Sequence, residues 1–408
     1  MKKMTMTDIL KYRRDLFQGL IQEKNLAALL FVFPNRDGFD LYFTGKSAKT
    51  VAPYDHPLQS MDTCVLLKKD DKPTIIHASY LTGPGEPDPL LTHAGPEKMD
   101  EEDYRWCLNQ KAELYLDALK DNKRLGVINL PDLREELYQF ILKYVPDTVF
   151  VDVTKEAHCL KAKKCAGDLT EEKESVRRLE AIFHGTYAFI HPAKLERDIA
   201  NNILAAGEKI AHFGMIYRDW VSIDLTSAPD GADAVLSPLP YPGRMVQMGD
   251  RINLCILAAL NNSYSAGLGR CFVLGEPCEE TRKYWSLTVK AQDAAASAIR
   301  PGATIREAVQ RAVEDVYIPN AIPYTPSNWI YGLGLNFAMA EFPMAIPEWE
   351  DMPLEKDMII CIAPKVELPG KDPFCCMDTY VVTDSGCERL TKTSRDIIDL
   401  FHFDEIPV

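Results

Sequence analysis

The sequence predicts a small α/β domain followed by a larger α+β domain, and three observations support this. The chain has 408 residues, which is too long for one ordinary hydrophobic core. Its first part alternates short apolar runs with helical patterns, as α/β domains do. Its second part repeats the order helix, helix, strand pair, so that two β layers would meet with helices outside. We therefore expect domains at 1–155 and 156–408.

The first domain is predicted from strands and helices that interleave along the chain. An opening amphipathic helix is indicated by apolar residues at helical spacing, from Ile9 to Ile21. Two further helices are predicted near "WCLNQKAELYLDALK" and "LREELYQFILKYV". Strands are predicted at five short apolar runs bounded by turn residues: "AALLFVFP", "CVLLKK", "PTIIHA", "RLGVINL" and "TVFVDV".

The second domain is predicted to open with two helices. Asp168, with Glu171 three residues later, has the character of a capping box that begins the first of them. The second helix is "LERDIANNILAAGEKIAHFG". Two more helices separate the strand pairs, and Pro301-Gly302 ends the first of these. The strands of the two pairs are "RINLCIL", "GRCFVLG", "DMIICIAPKVELPG" and "CCMDTYVVTDSG".

Composition excludes several classes of function. A net charge of −14 disfavours binding to nucleic acid or to an anionic membrane, both of which need basic surfaces. Neither an export signal nor an apolar run of about 18 residues is present, so we expect a cytoplasmic protein. The eleven cysteines lack the Cys-x-x-Cys spacing of zinc sites, and they are predicted to be reduced and buried. No metal and no cofactor is expected.

Several ordered motifs give the chain a resemblance to a known family. They are "MGDRINL", "GRCFVLGEP", "AIRPGATIREA", "YGLGLNFAMAEFP", "LEKDMIICIAPKVELPG" and "DTYVVTDSGCERLT". In this order they resemble the creatinase, prolidase and aminopeptidase P group, whose C-terminal domain has the duplicated pita-bread fold. The resemblance covers nearly the whole chain. It implies an α/β N-terminal domain and an α+β pita-bread C-terminal domain.

The resemblance also implies where metal ligands would lie. Metallopeptidases of this group hold two divalent ions with two Asp, one His and two Glu, and the ions activate a water molecule. All five matching positions carry other residues here: Cys255, Gly267 (or Ala266, allowing for one insertion), Tyr331, Ala363 and Met377. Creatinase is the metal-free precedent in this family. The position of its catalytic histidine corresponds to about Pro238 here, and the positions of its substrate-binding glutamates correspond to about Gly269 and Ala363. Creatine is therefore not the expected substrate.

Four residues are candidates for catalysis. Tyr331 would donate a hydrogen bond or a proton, unless its ring only fills space. Cys255 would be a nucleophile if a base activated it, although an inert buried thiol is the simpler interpretation. Glu341 would be a general base at the rim of the site, or a solvated carboxylate. His56 would be supplied by the N-terminal domain, or would be an exposed loop histidine.

A second group of residues is expected to bind the substrate. Arg270, Arg244 and Lys365 would attract an anion once the acids are gone, although Arg270 could instead pair with Asp378 for structural reasons. In this family the N-terminal domain often covers the neighbouring subunit's site. We therefore expect a homodimer in which the loop holding Tyr54, Asp55 and His56 completes the substrate site.

Two functions remain open from the sequence. The first is a metal-independent hydrolase that cleaves a C–N bond of amide or amidine type in a small anionic substrate. The second is a non-catalytic protein that binds a metabolite or a protein partner, and a metal-dependent Xaa-Pro peptidase ranks third. Catalysis requires Tyr331, His56 or Glu341 to lie within hydrogen-bonding reach of one another. A site filled by Met377, Tyr331 and Phe337 would contradict it.

Overall fold

The structure is a computed structural model that describes most of the chain. The described residues are 4–32, 39–44, 64–71, 73–76, 92–94, 112–211, 220–231, 243–260, 264–324, 329–335, 341–344 and 349–400. The chain divides into two compact units, Met1–Lys161 and Ala162–Val408. The predicted boundary at residue 155 lies a few residues earlier, within the helix Thr154–Ala162.

The first unit is an α/β domain. Its described strands form one sheet of six, in the order β4-β3-β2-β1-β5-β6. The central strand β1 pairs antiparallel with β2 and parallel with β5. All five predicted strands are found, as β1, β2, β3, β5 and β6, whereas β4 was not predicted; the residues of β6 are exposed or partly exposed. The strands are β1 Ala28–Val32, β2 Cys64–Lys68, β3 Pro73–Ile76, β4 Thr92–Ala94, β5 Arg124–Ile128 and β6 Val149–Asp152.

Helices flank this sheet. Helix α1 begins with a capping box in which Thr5 accepts from the backbone N–H of Asp8 while the Asp8 carboxylate accepts from that of Thr5. Its apolar stripe packs Phe17 against Phe31 of β1, with ring centroids 6.0 Å apart. The helices are α1 Met6–Glu23, α2 Phe39–Thr44, α3 over residues 112–118, α4 Glu135–Tyr144 and α5 Thr154–Ala162.

The second unit begins with the two predicted helices, but the cap of the first differs from the prediction. The N-cap is Cys165, and Asp168 is the third helical residue rather than the cap itself. The Asp168 carboxylate accepts from the Cys165 backbone N–H at 2.8 Å and from the Tyr264 hydroxyl at 2.7 Å. Asp168 is buried in the first turn, and its bond to Tyr264 connects this helix to the strand that contains Tyr264. The helices are α6 Ala166–Gly185, α7 Glu196–Ala211, α8 Glu279–Ala298 and α9 Ile305–Ala312.

Two β layers form the centre of the second unit. Among the described strands, one sheet has the order β17-β9-β8-β7, the other has the order β11-β10-β12-β15-β16, and a hairpin pairs β13 with β14. Strand β7 was not predicted. The strands are β7 Trp220–Pro229, β8 Asp250–Leu260, β9 Tyr264–Val273, β10 Ile330–Leu333, β11 Glu341–Met344, β12 Ile359–Ile362, β13 Lys365–Val366, β14 Phe374–Cys375, β15 Asp378–Val382, β16 Cys387–Arg389 and β17 Ile398–Asp399.

Strand β9 joins the two layers. Gly269 and Met377 exchange backbone hydrogen bonds of 2.9 and 3.2 Å, and Tyr264 forms a bridge with Leu335. One continuous apolar cluster fills the space between the layers. Throughout the described ranges, no helix is both long and apolar enough to cross a bilayer.

Candidate functional site

The positions that the resemblance matches to metal ligands lie between the two β layers. Cys255 on β8 stands opposite Gly269 on β9, and Gly269 is bonded to Met377. A Cβ atom on Gly267 would lie 2.9 Å from the Met377 thioether sulfur and 3.1 Å from the Cys361 sulfur. The centre of this region therefore contains packed sulfur-bearing and apolar side chains. In the part of the chain that the structure describes, no group of three or more His, Cys, Asp or Glu is arranged to hold a metal ion.

Tyr331 lies in this same apolar cluster. It is buried on β10 opposite Cys361 of β12. Burial, reinforced by the Cys361 thiol, raises the pKa of the Tyr331 phenol well above its usual value. The phenol therefore stays protonated at neutral pH and is able to donate a hydrogen bond.

Glu341 is not the solvated carboxylate at the rim that the sequence suggested. It is buried, and its Oε2 lies 2.6 Å from Nζ of Lys164, which is also buried. Gly334 closes over this pair, and a Cβ atom there would lie 2.6 Å from both charged groups. Glu341 is thus engaged in an internal ion pair, and its carboxylate bonds Lys164 rather than Tyr331.

Arg270 was expected to attract an anionic substrate, but it pairs with Asp378 inside the protein. Its Nη2 lies 2.7 Å from Asp378 Oδ1, and both side chains are completely buried. All three guanidinium nitrogens donate to the protein, to that carboxylate and to four backbone carbonyls, those of Gly269, Met377, Thr393 and Ser394. The substrate-binding expectation for Arg270 and Asp378 is therefore replaced by the structural alternative.

Arg244 is similarly engaged. Its Nη2 lies 2.7 Å from Asp250, and its Nε donates to the Ser227 carbonyl at 2.7 Å while also facing Glu196 at 3.7 Å. These bonds tie the segment before β8 to the end of β7 and to the start of α7. Two of the three predicted substrate-binding cations are therefore used to hold the fold together.

Lys365 differs from both arginines. It is exposed, and among the described residues it makes no ion pair. Its cross-strand partner in the β13–β14 hairpin is Cys375. Negative charge on Cys375, with smaller contributions from Cys255 and Asp224, outweighs partial burial and raises the pKa of the ammonium. Lys365 thus remains protonated at physiological pH and carries a positive charge beside the two thiols.

Cys255 and Cys375 are neighbouring buried thiols: the Cys255 thiol donates to the Cys375 backbone carbonyl at 4.0 Å, and the Cys375 thiol donates to the Ala363 carbonyl at 4.0 Å. The pKa of Cys255 is raised well above its usual value, first because of its interaction with Cys375 and then because of burial. The pKa of Cys375 is lowered, because of its interaction with Cys255 and because Lys365 stabilises its thiolate, which together outweigh burial. Asp224, opposite Cys255 on β7, is half-buried, and burial raises its pKa.

Sequence reasoning identified Cys255 and Lys365 but missed Cys375. Cys375 was treated only as one of the eleven cysteines predicted to be reduced and buried. The missed signal is the Pro369-Gly370 turn, which places Lys365 and Cys375 opposite each other in a hairpin. Tyr54 and His56, the candidates from the N-terminal domain, lie outside the described residues, as does Phe337.

This architecture, an α/β domain followed by two β layers flanked by paired helices, is that of the pita-bread hydrolases. Residues 171–384 match metallopeptidase family M24. That match spans more than half of the chain, and the chain belongs to this family.

Curated relatives support the same assignment. The chain is 30% identical to the Xaa-Pro dipeptidase of Pyrococcus furiosus over 165 residues, which are 40% of this chain and 46% of that protein. It is 26% identical to the probable dipeptidase PepE of Mycobacterium tuberculosis over 232 residues, 56% of this chain and 59% of that protein. The matched segments thus span only about half the length of these relatives.

Solved structures confirm the predicted fold. The prolidase from Pyrococcus horikoshii OT3 superposes with a TM-score of 0.69 at 17% identity, covering 95% of this chain and all of that one. The Xaa-Pro dipeptidase from Bacillus anthracis gives 0.73 at 17% identity, covering 96% and 99%. At these identities the likeness establishes architecture alone.

Proposed function

We propose that this chain is a metal-independent hydrolase that cleaves a C–N bond, of amide or amidine type, in a small anionic substrate. The observation that carries the proposal is Lys365. Lys365 is exposed and protonated, and it lies beside the thiols of Cys255 and Cys375. This region contains positions that the resemblance matches to the metal ligands of the family.

Metal independence is supported by the chemistry of the side chains at those positions. Cys255, Tyr331 and Met377 offer a thiol, a phenol and a thioether, and Gly267 and Ala363 offer no donor. Hard divalent ions prefer carboxylate and imidazole ligands, so this set does not fit the pair of ions expected for the family. The side chains are moreover packed in the apolar core, where an uncompensated ion would be costly.

An anionic substrate is supported by a comparison of the partners of the three predicted substrate-binding cations. Arg270 and Arg244 have internal carboxylate partners, whereas Lys365 has none among the described residues. A substrate carboxylate would supply the missing partner through a charge-assisted hydrogen bond.

The thiol pair supplies the reacting groups in this proposal. The Cys375 thiolate attacks the substrate carbon, and the departing nitrogen takes a proton from the Cys255 thiol. Water then hydrolyses the resulting thioester (or thioimidate), which releases the acyl product and returns both thiols to their starting state. The kinship with dipeptidases supports C–N bond cleavage as the reaction class.

The test is a hydrolysis assay on N-acylated amino acids and Xaa-Pro dipeptides, with the protein stripped by a strong chelator and its metal content measured. We expect turnover that survives the chelator. Lys365→Met should raise KM about 10- to 100-fold for substrates with a free carboxylate, the worth of one charge-assisted bond. It should leave KM unchanged for the same substrates with the carboxylate amidated.

Lys356→Met is the matched control, because Lys356 is an exposed lysine already paired with Asp384 at 2.7 Å. It should leave KM unchanged for every substrate. Turnover that appears only with added divalent ions would overturn metal independence and favour an Xaa-Pro peptidase. An unchanged KM in Lys365→Met would overturn the anion site.

A second candidate function is binding without catalysis. It is favoured by the buried Tyr331 and Met377, which occupy the space between the β layers, and by the engagement of Glu341 with Lys164. Saturable binding of an anionic metabolite without turnover, weakened by Lys365→Met, would select this function.

The proposal retains two expectations that accompany it. The first is a homodimer in which the loop containing Tyr54 and His56 completes the neighbouring site, and the second is residence in the cytoplasm. Sedimentation of the purified protein tests the dimer. His56→Ala should then lower turnover in a dimer and leave it unchanged if the loop is remote.

A further inference from the structure

We propose that Cys255 and Cys375 form a redox-active dithiol, in which a peroxide oxidises Cys375 and Cys255 then closes a disulfide. The inference rests on the geometry of the two thiols and is independent of the hydrolysis proposed above. It would hold equally if the protein only bound its ligand.

The backbone around the two cysteines brings them together. Asn253 on β8 accepts a hydrogen bond from the Cys375 backbone N–H at 3.1 Å. Two residues further along β8, the Cys255 sulfur lies 4.0 Å from the Cys375 carbonyl oxygen. Gly269 makes this arrangement possible, because a Cβ atom there would collide with the Cys255 sulfur. Strands β8 and β14 thus hold the two cysteines next to each other in the core.

The pair is asymmetric, which decides the order of events. Peroxides react with thiolates rather than with thiols. Cys375 is the member that lies opposite Lys365 across the hairpin and whose backbone carbonyl accepts from the Cys255 thiol, and its pKa is lowered while that of Cys255 is raised. Cys375 is therefore the thiolate that reacts first, and Cys255, which retains its proton, is the resolving thiol.

The neighbouring thiols stay protonated, although Arg270 Nη1 donates to the Cys376 sulfur at 3.9 Å. Cys376 follows Cys375 directly and is equally buried, but its sulfur lies 3.6 Å from Gln292 Oε1 and 3.9 Å from the Asp378 carboxylate. Burial raises the pKa values of both Cys376 and Cys361. These thiols stay protonated and are expected to react slowly.

The proposed reaction balances with one equivalent of hydrogen peroxide. The Cys375 thiolate attacks one peroxide oxygen, the O–O bond breaks, and hydroxide leaves, giving a sulfenic acid. The Cys255 sulfur then attacks the Cys375 sulfur, which forms the S–S bond and releases water. Two thiols are oxidised by two electrons, and the peroxide is reduced to two water molecules once the protons are counted.

The test exposes the full-length protein to hydrogen peroxide, blocks the remaining thiols and maps the peptides without reduction. We expect a Cys255–Cys375 disulfide that forms at least about tenfold faster than any oxidation of Cys376, because reactivity follows the thiolate fraction. Cys255→Ser should leave a sulfenic acid on Cys375 that dimedone traps. Lys365→Met should slow oxidation of Cys375 severalfold.

Cys376→Ser is the matched control and should form the disulfide at the wild-type rate. Near-UV circular dichroism of each variant reports whether it keeps the native packing. Preferential oxidation of a different cysteine would overturn the proposal, as would oxidation of Cys375 no faster than that of Cys376. A disulfide that still forms at the wild-type rate in Lys365→Met would overturn the role of the ammonium.

Discussion

The buried ion pair of Arg270 and Asp378 allows a direct test of whether Arg270 has a structural role. Neither side chain is exposed to solvent, and the guanidinium bonds the carboxylate through two nitrogens, at 2.7 and 3.2 Å. Thr391 also donates to this carboxylate, at 2.5 Å. We predict that Arg270→Met removes the guanidinium bonded to this carboxylate, leaves it only Arg389, at 3.8 Å, as a cation among the described residues, and is strongly destabilising.

The expected magnitude follows from the contacts that are lost. Removing one partner of a buried ion pair costs about 3–5 kcal/mol. Four backbone carbonyls lose a donor in the same substitution, which places the expected loss at the upper end of that range. For a unit of this size, such a loss corresponds to a fall in the melting temperature of about 10 °C.

Denaturant unfolding followed by tryptophan fluorescence measures this loss. Four of the five tryptophans lie in the second unit, so the signal reports mainly on that unit. Arg306→Met is the matched control, because Arg306 pairs with Asp351 and Glu350 on the surface. It should leave the unfolding midpoint unchanged. If Arg270→Met unfolded within about 1 kcal/mol of the wild type, the structural role assigned to Arg270 would be wrong.

Two further predictions concern packing and pH. Gly269→Ala should lose about 1–3 kcal/mol of stability by thermal unfolding, because its Cβ meets the Cys255 sulfur, whereas Gly185→Ala has open space and should not be destabilising. Equal stability of the two variants would contradict this. Two neighbouring arginines lower the pKa of Glu174 from 4.5 to about 2, so its contribution is present above pH 4.5 and disappears as the pH falls towards 2. The Glu174→Gln variant should therefore be less stable than the wild type by at most about 1 kcal/mol at pH 7, since the group is partly exposed, and by clearly less at pH 2, where the carboxylate is becoming protonated; a loss independent of pH would refute it.

Much of the fold could be predicted from the sequence because its signals are local. A short apolar run specifies β1, alternating apolar residues specify the start of β8, and the Pro301-Gly302 stop lies just beyond the end of α8. Even so, the cap of α6 was misplaced by three residues. Asp168 is fixed by a bond to Tyr264, which lies 96 positions away, and no local pattern reveals such a partner.

The sequence by itself determined the order of the elements, the fold class and the residue types at the five matched positions. Only the tertiary structure decided which charged side chains remain available to bind a ligand and which are paired inside the protein. Arg270 and Lys365 are equivalent cations in the sequence, yet Arg270 meets a carboxylate 108 positions away while Lys365 meets a thiol across a hairpin. Hydrogen bonds and ion pairs depend on distances of a few ångströms between side chains, and only the packed fold determines those distances.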